Sequence, residues 1–117
     1  MLFKSVISER RPVWIALSEF YLDIELQDDD LKRIAEIFRL SPYSLYELKE
    51  INLDEVGPVL LPNLFSIAGT WSGFEEEWLV ESIKKNMDRK RWRPFRMIHR
   101  RIIANHTRRY WDKLETL

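Results

Sequence analysis

The 117-residue chain has no cysteine, only three glycines and only two histidines. Without cysteine there is no disulfide framework, no thiolate metal site and no cysteine nucleophile. So few glycines leave little material for a phosphate-cradling loop, and no Ser-His-Asp order or nucleophile elbow occurs. No stretch approaches the roughly 20 apolar residues of a membrane span. The short apolar run from Met1 to Ile7 meets Glu9, Arg10 and Arg11 almost at once, which does not suit a signal peptide. The expectation is a cytoplasmic protein without a membrane partner.

What is present points to a folded chain. Hydrophobic residues make up 45%, with five Trp, four Tyr and six Phe, far more than a disordered chain carries. The length suits one domain over residues 1–117. Net charge is zero, yet it is divided. Residues 1–83 hold seven Lys/Arg and sixteen Asp/Glu, a net −9, whereas residues 84–117 hold twelve and three, a net +9. Either the basic end lies across the acidic part of the same molecule, or one of the two faces serves an external partner.

The fold expected is an all-α single compact bundle of five to six helices. Residues 9–24 read as the first, capped by Ser8, with Pro12 in its first turn and Val13, Trp14, Leu17, Phe20, Tyr21 and Ile24 at helical spacing. Asp28, Asp29 and Asp30 stand where a second helix should start, and Leu31, Ile34, Ala35 and Phe38 give it a buried stripe. Ser41 and Pro42 read as the cap and first turn of a short third helix with Leu45, Leu48 and Ile51 inward; Ser44 and Glu47 offer an alternative capping box. Pro58 and Pro62 imply that the following helix starts late or is kinked.

The most apolar stretch is 52–87, and its second half predicts a central helix at about 73–87. Phe74 and Trp78 fall on one flank and Leu79, Val80, Ile83 and Met87 on the other, so neighbours are expected on both sides. Ser72 and Glu75 have capping-box spacing. Trp14, Trp71, Phe74 and Trp78 are assigned to the core. A long C-terminal helix is expected at about 94–115, with Phe95, Ile98, Ile102, Ile103, Tyr110, Leu114 and Leu117 on its inner face and Arg100, Arg101, Arg108 and Trp111 elsewhere.

Three sets of residues could carry chemistry. His99 and His106 lie two turns apart, about 10.5 Å along a helix axis, too far to share one metal ion unaided; no metal site and no cofactor are expected. Arg89, Arg91, Arg93, Arg96, Arg100 and Arg101, interleaved with Trp92 and Phe95, combine guanidinium groups with aromatics, a mixture suited to phosphate contact and base stacking. Asp23, Asp28, Asp29, Asp30, Glu36, Glu47 and Glu50 form the acidic counterpart, which lacks the alternating ligands and glycine of a calcium loop. Such a surface suits capture of a basic protein, because charge complementarity raises association rate and specificity. The leading expectation is a non-enzymatic binding domain, with nucleic-acid binding as the alternative.

Two resemblances add to this. Arg101 to His106 resembles the Arg-x4-His element of the HEPN ribonucleases, small all-helical proteins, and implies a third reading in which these two residues act on a phosphodiester. The family's usual polar residue after the Arg is here Ile102. Residues 9–18 (Glu-Arg-Arg-Pro-Val-Trp-Ile-Ala-Leu-Ser), Ser41 to Leu45, and Ala68 to Phe74 with Trp78 and Leu79 are together similar to a family of small bacterial all-helical proteins of unknown function, over about residues 9–88. That resemblance carries no catalytic assignment. Small domains of this kind often serve as immunity proteins, which implies a cognate toxin, for instance a basic nuclease, as partner.

Overall fold

A computed structural model describes residues 2–64, 72–88 and 95–117, and six α-helices occur among these described residues. They are α1 (Leu2–Ser18), α2 (Asp28–Leu40), α3 (Leu45–Ile51), α4 (Gly57–Leu64), α5 (Glu76–Asp88) and α6 (Arg96–Glu115). A 3-10 turn, Glu19–Tyr21, follows α1, and a π-helical turn, Asn52–Val56, joins α3 to α4 without a break. No strand occurs among the described residues. The architecture is an all-α bundle, as expected.

Its centre is not α5. The π turn packs against α1, α5 and α6 as well as its own flanking helices, and Asn52, Asp54, Glu55, Val56 and Gly57 are all buried. By contrast α5 buries Leu79, Val80 and Ile83 on one side only, while Trp78 is 50% exposed and stacks on half-buried Phe74. The two-flanked helix expected at 73–87 is therefore a one-sided helix near the surface. Hydrophobicity all round identified a dense stretch, but the polar residues at 52–55 were needed at the middle for their hydrogen bonds. Trp71 lies outside the described residues.

The π turn is explained by the prolines. Pro58 has no N–H to give the carbonyl of Asp54, and its ring would crowd that carbonyl in a regular α-helix. In the wider turn the Gly57 N–H reaches back to the Asn52 carbonyl, and the side-chain amide of Asn86 on α5 donates to the freed Asp54 carbonyl at 3.3 Å. Gly57 also lets α6 come close. A Cβ there would stand 2.5 Å from Ile103 Cδ1 and 2.7 Å from the Asn52 carbonyl oxygen.

Several boundaries moved for definable reasons. Helix α1 begins before residue 9 and runs through Pro12, so Ser8 is inside the helix and caps nothing. Pro12 is tolerated because it is exposed, where water can satisfy the carbonyl it deprives. The helix stops at Ser18, the 3-10 turn changes the phase, and Ile24 is consequently exposed. Ser41 and Pro42 do not open α3; Ser44 does, accepting the Glu47 N–H at 3.2 Å while Glu47 accepts that of Ser44 at 2.9 Å. Leu45 is exposed, with Leu48 and Ile51 inward. At the start of α5 it is Glu75, not Ser72, whose carboxylate accepts the N–H groups of Glu77 and Trp78. Asp28, Asp29 and Asp30 do begin α2, where Leu31, Ile34 and Phe38 are buried.

On α6 the buried side is rotated from the one expected. Ile103, Thr107, Tyr110 and Trp111 are inside, whereas Phe95, Ile98 and Leu117 are exposed. Arg96 and Arg100, one turn apart, point to buried Asp54, and extending that row by helical steps leads to Ile103, Thr107 and Tyr110. A carboxylate in the interior thus selected the face. Trp111 then stacks with Phe38 and meets Phe20 edge-on.

Candidate functional site

Two buried carboxylates on the π turn organise the polar interior. Glu55 accepts the indole N–H of fully buried Trp14 at 2.8 Å and pairs with Arg10 of α1. The same guanidinium donates to the Tyr43 hydroxyl at 3.2 Å. Burial would lower the affinity of Arg10 for its proton, but the Tyr43 hydrogen bond and the Glu55 charge outweigh this and hold it above its ordinary range. Arg10 and Trp14 belong to the first of the segments similar to a known family, and Tyr43 to the second. Those motif residues therefore meet at one carboxylate.

Asp54, on the other side of the turn, is held by α6. Arg96 Nη2 donates to both of its oxygens at 2.8 and 2.9 Å, and Arg100 Nη1 to one at 2.8 Å. Arg100 also reaches Glu50 at 2.9 Å. Burial alone would push the Asp54 carboxyl up, but the hydrogen bonds from Arg100 and Arg96 prevail and hold it below its usual range. Deeper still, the Tyr21 hydroxyl donates to Asn52 Oδ1, and Asn52 Nδ2 donates to Thr107 Oγ1 at 3.3 Å. Burial raises the Tyr21 phenol, so it remains a neutral donor.

Above this interior lies a groove of about 240 Å3 lined by Arg10, Tyr46, Glu47, Glu50, Asp54 and Glu55. It brings together Glu47 and Glu50 from the expected acidic set. Both are committed, Glu47 to the cap of α3 and Glu50 to Arg100. Glu36 pairs with Arg39, and Asp30 accepts the Gln27 N–H while lying 3.6 Å from Arg33. Asp23, Asp28 and Asp29 are different. They are exposed and make no ion pair among the described residues. Asp23 lines a polar cleft of about 380 Å3 with Glu25, Asn63, His106 and Arg109.

The basic set divides likewise. Arg89, Arg91 and Arg93 lie outside the described residues. Arg96 and Arg100 are spent on Asp54 and Glu50, and Arg109 pairs with Glu25 at 3.1 Å. Arg101 and Arg108 are exposed on the outside of α6. His106 has Nε2 at 2.9 Å from the Phe20 carbonyl and stacks on Tyr21; Arg101, five residues earlier, stands about 140° away around the helix. His99 is half-buried on α6.

The sequence places Trp14 in the core without disclosing its hydrogen bond, gives Arg10 and Tyr43 no role, and offers Asn52 with Glu55 as the opening of a helix, whereas Asn52 is buried in the π turn between Tyr21 and Thr107. The available signal was the run of Asn52, Asp54 and Glu55 interrupting apolar sequence just before Gly57 and Pro58. Polar residues there need buried partners.

Residues 8–117 match the domain of unknown function DUF7079. The chain belongs to this family. The DUF7079 match extends through α6, beyond the stretch of residues 9–88 on which the sequence resemblance rests, so the helix supplying Arg96 and Arg100 is part of the family's domain. No curated protein and no solved structure matches the chain. No described helix is long and apolar enough to cross a membrane.

Proposed function

We propose that this DUF7079 domain is a non-enzymatic protein-binding domain of the cytoplasm, most concretely an immunity protein that inhibits a basic toxin of bacterial origin through its acidic face. The observation that carries this reading is the contrast among its carboxylates. Those of the polar interior and of Glu36 and Glu50 already have cationic partners, whereas Asp23, Asp28 and Asp29 stand exposed without one. Carboxylates without an ion-pair partner, in a chain otherwise rich in internal ion pairs, retain a field for steering a cationic partner. The acidic surface thereby narrows to the loop before α2 and its first turn, with Asp30 beside it.

The test first asks whether a reading frame beside this gene encodes a toxin, whose absence would count against the reading, and then uses that toxin as probe. In stopped-flow association at low salt, the D28K/D29K variant should bind roughly tenfold more slowly, with the difference shrinking as salt is raised. An unchanged rate would refute the reading. Glu50 is a poorer position to reverse, since its loss also removes one of the two carboxylates that hold Arg100.

A second reading is favoured by Arg101 and Arg108, exposed and about 10.5 Å apart along one side of α6. They suit sequence-tolerant contact with nucleic-acid phosphates. Binding of single-stranded RNA that weakens steeply with salt, and more gently in R101A/R108A, is its expected signature.

A further inference from the structure

A pocket of about 200 Å3 lies between α6 and the segment formed by α3 and the π turn. Two buried polar side chains, Asn52 and Thr107, line it together with the apolar Leu53, Ala104 and Trp111. Asn52 has a donor to spare. The Thr107 hydroxyl gives its proton to the Ile103 carbonyl at 2.8 Å, so its oxygen accepts from Asn52 Nδ2 at 3.3 Å, while the Tyr21 hydroxyl donates to Asn52 Oδ1. These partners fix which end of the amide is nitrogen, and its second N–H has no acceptor among the described residues. A buried donor left unmatched costs stability until an acceptor reaches it. At the mouth stand exposed Arg108 and Asp112, one turn and about 6 Å apart along α6. Neither makes an ion pair among the described residues, with the other or with any third group. Lys49 completes the rim, its ammonium 3.2 Å from Glu115 and above the Trp111 ring.

We propose that this pocket binds a free α-amino acid with an apolar side chain. The ligand follows from what each wall lacks. Arg108, Lys49 and the spare Asn52 N–H are donors suited to one carboxylate, and Asp112 is an acceptor suited to an ammonium beside it. Leu53, Ala104 and the edge of Trp111 offer an apolar wall to the side chain. A plain anion would be opposed by Asp112, and a plain cation by Arg108 and Lys49, so a zwitterion is the complementary species. The volume is below the roughly 300 Å3 at which drug-sized ligands begin to fit, and suits a single amino acid. Asp23, Asp28 and Asp29 take no part, so the inference stands or falls apart from the toxin reading. Of the residues assigned to nucleic acid above only Arg108 is shared, and Asp112→Ala separates the two, because removing an anion should strengthen contact with phosphate.

Nuclear magnetic resonance titration of the full chain tests it, with leucine, valine, leucinamide and 4-methylpentanoate as probes. Leucine or valine should shift the Asn52 side-chain amide and the Trp111 indole signals saturably, with a dissociation constant of about 1 mM or tighter. Leucinamide lacks the carboxylate and 4-methylpentanoate the ammonium, and each should bind roughly tenfold more weakly, the scale of one charge-assisted hydrogen bond. Arg108→Ala and Asp112→Ala replace exposed side chains, so the fold should persist, and each should weaken leucine by a similar factor. The absence of saturable shifts with either amino acid would overturn the proposal. So would leucinamide or 4-methylpentanoate binding as tightly as leucine, or affinity for leucine indifferent to either substitution. Shifts that saturate at residues other than those of the pocket would likewise refute it.

Discussion

Two helical regions of this molecule invert their expected roles. The run Leu45–Leu64 contains Asn52, Asp54, Glu55 and two prolines, yet it forms the middle of the bundle, with α1, α5 and α6 around it. The run Glu76–Asp88 is free of proline and has apolar residues spread around it, yet it lies outside with Trp78 half in water. The difference teaches that the most apolar helix need not be the most enclosed. A segment can also be placed centrally by polar groups whose partners come from several helices at once. Here Glu55 gathers α1, and Asp54 gathers α6.

Breaking the central region should therefore cost far more than trimming the outer one. Asp54→Ala leaves Arg96 and Arg100 facing each other without their shared carboxylate. It should lower stability by about 3 kcal/mol, toward the lower end for a broken buried pair because both guanidinium groups keep some contact with water. Urea unfolding measures this. The same comparison sharpens with pH. The Asp54 carboxyl is depressed in the folded state, so its contribution is fully present above the unfolded carboxyl value of about 4 and is lost as pH falls through the lower folded value. The gap between wild type and Asp54→Ala should accordingly close in acid, and a gap independent of pH would contradict the ion-pair account.

Next in size is Gly57→Ala. Its new methyl group meets the end of Ile103 and, less avoidably, the carbonyl oxygen of Asn52. A loss of about 2 kcal/mol is expected, as for an overpacked interior, and thermal unfolding would detect it. The smallest effect belongs to the outer helix. Trp78→Ala should cost about 1 kcal/mol, the scale of its stack on Phe74, whereas a fully buried tryptophan would cost about 3–5 kcal/mol. A loss of the larger size would restore α5 to the centre and undo the contrast.

Much of this was legible from local chemistry. The start of α2 at Asp28, the Ser44–Glu47 box and the inward Leu31, Ile34 and Phe38 follow from caps and helical spacing, which depend only on near neighbours. The acidic and basic residues were likewise identifiable, but not which of them were free. Glu50 and Arg100 look as available as Asp28 and Arg101 until the chain folds and joins the first two at 2.9 Å. Pro12 misled for a related reason. A proline marks a first turn locally, but whether an interior proline survives depends on whether its deprived carbonyl faces water.

The sequence alone determined that this chain is helical, where α2 begins, and that charge is divided along it, since periodicity, caps and composition are properties of neighbouring residues. The tertiary structure decided which helix is enclosed, which face of α6 turns inward and which carboxylates remain unneutralised. Those depend on pairings between residues more than 40 positions apart, such as Arg96 with Asp54 and Trp14 with Glu55. No local pattern encodes them, because a buried charge is stable only where a distant partner arrives to meet it.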